Sequence, residues 1–181
     1  MLPMITRLAA AAPAAALLLA TATAPASAAP AGVHCSGGTL HGTLTPGISH
    51  APTNQTLLAE ATGANCHMVD LPATPALVRF TINASGNGEC VPDFGITNLQ
   101  ATAAITITVH SLPTTNHFSG AGSMTASGVV FQGFVTDGPH ADQQVNMSAR
   151  IPDAALLDGG IACLLGGFKD FTAAIGDIAI G

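Results

Sequence analysis

Apolar and polar residues trade places at every second position in four stretches of the chain. In "LVRFTINA", Val78, Phe80, Ile82 and Ala84 share one side and Leu77, Arg79, Thr81 and Asn83 the other. In "TAAITITVH", Ala103, Ile105, Ile107 and Val109 alternate with Ala104, Thr106, Thr108 and His110. "VNMSARI" sets Val145, Met147, Ala149 and Ile151 against Asn146, Ser148 and Arg150, and "TLHGTL" sets Leu40 and Leu44 against Thr39, His41 and Thr43. A period of two belongs to a strand with one face buried and one wet. His41 and His110 are accordingly read as solvated strand residues.

Two further runs are strands of a different kind. "HFSGAGSMTAS" places Phe118, Gly120, Gly122, Met124 and Ala126 on its inward side, with glycines that mark a bulge or a close approach by a neighbour. "GVVFQGFVTDG" is apolar on both sides and predicts a central strand covered on both faces. Between the runs lie "TPGIS", "SGNGE", "LPTTN" and "TDGPHAD", each with the Gly, Pro, Asn or Asp that reversals need. "LPATP" at Leu71 and "LPTT" at Leu112 look like wall-sorting signals but lack the hydrophobic tail, and are read as loops.

Helical signal is confined to "IPDAALLDGG", where Asp153 is a candidate N-cap and Gly159 a terminator, for one short helix near 153–158. Eight or nine short strands joined by turns predict an all-β domain, an antiparallel β-sandwich or, alternatively, a closed antiparallel β-barrel.

The first 28 residues break this pattern. Arg7, the apolar run from Leu8 to Ala20 and the small residues of "PASAAP" are the parts of a secretory signal peptide, with cleavage expected after Ala28. The apolar run is too short to span a bilayer, and no later run replaces it. Residues 29–181, about 153 in number, are then one secreted domain, long enough for a single core.

Composition narrows the partners. The leader takes Arg7, which leaves three bases against ten acids, net −7 with histidine neutral. That balance excludes a basic nucleic-acid footprint. Only 8% of residues are charged, so Thr, Ser, Asn, Gln and Gly must solvate the surface. With neither Trp nor Tyr, the flat rings on which sugars and bases stack are scarce.

Cys35, Cys66, Cys90 and Cys163 form an even set in an exported chain and predict two disulfides. Of three possible pairings, Cys35 with Cys66 and Cys90 with Cys163 is favoured, because it closes loops of about 32 and 74 residues without entanglement. A metal site in "VHCSGGTLHGTL" would need His34, Cys35 and His41 to converge. On one strand Cys35 and His41 lie about 20 Å apart, so convergence requires a bend at Gly37 and Gly38. A second possibility uses the mirror order of "HC" at 34–35 and "CH" at 66–67. Antiparallel pairing of Cys35 with Cys66 also sets His34 opposite His67, with Cβ atoms near 5 Å, which makes these histidines the candidate metal or pH-sensing pair.

Catalytic signatures are missing. "GAGSM" lacks the spacing of a nucleophile elbow, no H-E-x-x-H occurs, and Glu60 and Glu89 lie far from any paired-histidine motif. Asp137 with Asp142 and Asp153 with Asp158 are the nearest carboxylate pairs, but loop solvation and capping account for them. The oxygen ligands of "TDGPHAD" are sparse for calcium. No catalytic residue and no cofactor are expected.

"CSGGTLHGTLTPGIS", "INASGNGEC" and "GFVTDGPHAD" resemble segments of small secreted actinobacterial proteins that are Gly/Thr-rich and disulfide-bearing. The resemblance implies export and a β architecture, and carries no activity or site residue with it. The expected function is that of an exported, non-catalytic binding or structural domain of the cell envelope or medium, with an envelope component or a protein as partner. Two alternatives stand beside it: a carrier of small molecules in a barrel cavity, and a hydrolase using loop residues Asp137, His140, Asp142 or Asp153.

Overall fold

The computed structural model describes residues 31–90, 94–153, 163 and 167–181. The expected signal segment at 1–28 lies outside these residues, as does all of the expected 153–158 helix beyond Asp153.

Among the described residues ten strands follow in chain order: β1 Val33–Cys35, β2 Gly38–Ile48, β3 Thr53–Gly63, β4 Cys66–Met68, β5 Leu71–Glu89, β6 Gly95–Val109, β7 Leu112–Thr125, β8 Gly128–Asp137, β9 Gln144–Arg150 and β10 Phe168–Ile180. Every pairing is antiparallel. β1 and β2 act as one stave broken at Gly37 and Gly38, both at positive φ, and β3 and β4 as another broken at Asn65, with φ 51°. The two breaks face each other: Gly38 pairs with Gly63, and the Ala64 amide donates to the Gly37 carbonyl at 2.8 Å. A bend beside Gly37 and Gly38, the condition for bringing Cys35 and His41 together, does occur, but the facing β3–β4 stave shares it at Ala64 and Asn65, and β1 and β2 both stay paired along β10.

The staves run as a meander, each bonded to the next, until β10 returns to pair with β1, β2 and β9. The all-β antiparallel expectation holds, and the sheet takes the closed form that the alternation had left open beside a sandwich. Closure pairs every long strand on both sides and so removes exposed edges. No helix among the described residues is long and apolar enough to cross a membrane.

The alternating residues fall where their period puts them. Val78, Phe80, Ile82, Ala84, Ile105, Ile107, Val145, Met147, Leu40 and Leu44 are all buried, in one cluster inside the ring. A ring of about eight staves can be filled by its own inward side chains or can hold one small ligand; here buried apolar residues of every long strand pack in one cluster.

Several local expectations are corrected. The strands are long: β5 has 19 residues and β6 15. "LPATP" and "SGNGE" are the two ends of β5, and "LPTTN" begins β7. The β6–β7 reversal falls instead on His110 and Ser111, with φ 49° and 65°, the left-handed pair that suits a two-residue hairpin. "TPGIS" continues β2 through a cis Thr45–Pro46 bond. Ala126 lies exposed in the β7–β8 turn. β8 is covered on one face only, because Val130 and Phe134 point outward and Phe134 is 59% exposed. Runs of Gly, Pro and Asn with turn composition are held extended by ladder pairing, on both sides at "SGNGE" and on one side at "LPATP" and "LPTTN".

Candidate functional site

Cys35 is bonded to Cys66, and Cys90 to Cys163; no free cysteine remains. Two disulfides fit an oxidising, extracellular type of environment. The Cys35–Cys66 bridge links directly opposed residues of β1 and β4, and the same register sets His34 against His67. Their rings meet edge to face with centroids 5.5 Å apart and planes at 63°.

A third residue joins them from β10. Phe171, Ala173 and Ile175 face inward in the strand's ordinary alternation, which would carry Asp177 inward too. A bulge between Ile175 and Asp177 shifts the phase by one residue. Ile178 and Ile180 return to the core and Asp177 turns outward, where its Oδ1 lies 2.6 Å from His34 Nε2. A carboxylate can only accept, so Nε2 carries the proton. Both side chains are partly open, at 38% and 49% exposure.

The other histidines and acids are dispersed. His41 Nδ1 meets Thr172 Oγ1 at 3.0 Å on the outer face, on the opposite side of the bend from the bonded Cys35. Asp137 Oδ1 accepts from the Gly138 amide, and its Oδ2 lies 3.5 Å from His117 Nδ1. His140 is buried; its amide donates to Asn116 Oδ1 and its Nδ1 meets Gln143 Oε1. Asp142 takes a left-handed conformation while its amide donates to the Val135 carbonyl, and Asp153 pairs with Arg150. These bonds give the loop acids and His140 roles in shaping the turns. Asp158 lies outside the described residues.

A different surface emerges on the outer face of β5 to β9. Register aligns Asn83, Thr102, Ser119, Phe134 and Gln144 in one rung across five strands. The next rung runs Ser85, Gln100, Ala121, Gln132 and Asn146. Between β5, β6 and β7 these rungs line a shallow polar depression of about 330 Å³. Neither rung carries a charge, so the surface offers amide and hydroxyl donors and acceptors beside one exposed ring. Sequence reasoning missed Phe134 because its apolar neighbours in "GVVFQGFV" suggested cover on both sides. Its alternation with Phe131 and Val135 was the available signal.

Compared with protein-family models, curated proteins and solved structures, the chain matches none.

Proposed function

We propose that this is an exported, non-catalytic binding domain that works in the cell envelope or the surrounding medium. The observation that carries the reading is the uncharged polar rung with the outward Phe134, set on a disulfide-stapled closed sheet. Aromatic anchors ringed by polar groups concentrate binding energy at protein surfaces. A rigid sheet presents them at little ordering cost.

The close burial of the inward side chains in one apolar cluster supports surface binding over carriage of a small molecule. The turn-shaping bonds of Asp137, His140 and Asp142 favour binding over hydrolysis in the same way. The leader, the sulfur pairing and the resemblance to secreted actinobacterial proteins all support export.

Co-sedimentation of the purified, oxidised domain with insoluble envelope material tests the reading. Wild-type protein should pellet with the envelope, and Phe134→Ala should pellet at least tenfold less. Equal sedimentation of the two proteins, or no sedimentation of either, overturns it. Turnover in an ester, glycoside or peptide screen would instead favour the hydrolase alternative.

A further inference from the structure

We infer that His34 and His67 form a two-nitrogen site for a divalent transition-metal ion, with Asp177 positioning His34. The site lies on β1, β4 and β10, apart from the binding face proposed above, and stands on its own geometry.

Ring spacing is the first argument. An ion bound in the plane of an imidazole at 2.0–2.1 Å from its nitrogen sits about 3.2 Å from the ring centre. Two ring centres 5.5 Å apart then subtend about 118° at a shared ion, close to the tetrahedral angle of zinc. The rings meet edge to face with planes at 63°, so a shared ion requires the His67 ring to turn about its side-chain bonds until one of its nitrogens faces the point at which Nδ1 of His34 is aimed.

Tautomer control is the second. The Asp177 carboxylate accepts a hydrogen bond from Nε2–H of His34, which leaves Nδ1 of the neutral ring with its lone pair free. A carboxylate bonded to the far nitrogen of a ligating histidine orients the ring and raises its basicity. The bulge between Ile175 and Asp177 turns Asp177 outward to this ring.

Preorganisation is the third. His34 and His67 are neighbours of a disulfide in a register-locked pair, so the backbone needs no ordering to bring the rings together. Pro75 opposite His67 and Ala179 opposite His34 are small, uncharged cross-strand neighbours. Ser148 faces Asp177 from β9, and Asp70 follows in the β4–β5 turn.

Among the described residues no three or more His, Cys, Asp or Glu side chains gather as a ligand set. The protein therefore supplies two nitrogens and water completes the sphere. Such a site is open and exchangeable, and it follows the general order in which Cu²⁺ binds more tightly than Ni²⁺ or Zn²⁺.

The test titrates the intact, oxidised domain with Cu²⁺ and with Zn²⁺ by calorimetry, beside NMR of the histidine ring signals in Zn²⁺. One-to-one binding is expected, with His34 and His67 signals moving together and a copper spin-resonance spectrum showing two nitrogens. His34→Gln or His67→Gln should weaken binding at least tenfold. Asp177→Asn should weaken it severalfold while the two-nitrogen spectrum persists. Circular dichroism and thiol mass analysis establish that each variant is folded and oxidised. Ring signals that move independently, or one-to-one binding retained at full strength in the His34→Gln/His67→Gln double variant, would overturn the proposal.

Discussion

Gly63 stands so close to Cys35 that a Cβ on it would come within 2.7 Å of the Cys35 sulfur. The same atom would lie equally close to the Cys66 sulfur. A glycine at the end of β3 is the space into which the first disulfide packs.

Gly63→Ala should therefore destabilise the domain by about 1–3 kcal/mol through overpacking. Thermal unfolding of the oxidised protein measures it. In the double variant Cys35→Ala/Cys66→Ala both sulfurs are gone and only the Ile178 Cδ1 contact at 3.2 Å remains, so the added cost of Gly63→Ala should fall sharply; an unchanged cost would place its cause elsewhere.

The two bridges differ in reach. Their sequence separations are 31 and 73, and chain entropy gives the longer loop about 0.7 kcal/mol more stabilisation. Each Cys-to-Ala pair should cost about 2–5 kcal/mol, with the Cys90–Cys163 pair costing more. Urea unfolding of the two double variants ranks them.

Gln55 is fully buried, and its side chain accepts from the Gly47 amide and donates to the Gly47 carbonyl. It thereby satisfies both backbone groups beside the cis Thr45–Pro46 bond. Gln55→Leu strands them, at a cost of about 2–4 kcal/mol, read as a lower denaturant midpoint with an unchanged slope.

Phe134→Ala should separate stability from binding. The ring is mostly exposed, so its loss should move unfolding by no more than about 0.5 kcal/mol. The retention on envelope material described above should fall with no shift in the melting curve. A large loss of stability would mark Phe134 as a packing residue.

Much of the fold was legible. Val78, Phe80, Ile82 and Ala84 reveal their inward side by alternation alone, because each strand buries one face and a period of two is local. The mirror order of His34–Cys35 and Cys66–His67 likewise carried the register that would bring both pairs together. The reversals were harder to read. "SGNGE" and "LPTTN" have turn composition but continue strands, since Asn87 and Thr114 are held by ladder partners on neighbouring strands. His110 and Ser111, which make the real hairpin, carry a weaker turn signal.

By itself, the sequence determined the alternating strands, the inward side chains, the low charge and an even set of cysteines. These follow from residues a few positions apart, whose periodicity expresses which face must avoid water. Only the tertiary structure decided that β10 returns to β2 and closes the ring, that Phe134 therefore faces solvent, and that Asp177 meets His34 across 143 residues of chain. Those outcomes depend on long-range pairing and on one bulge that shifts the phase of a strand, and neither leaves a periodic trace in the order of residues.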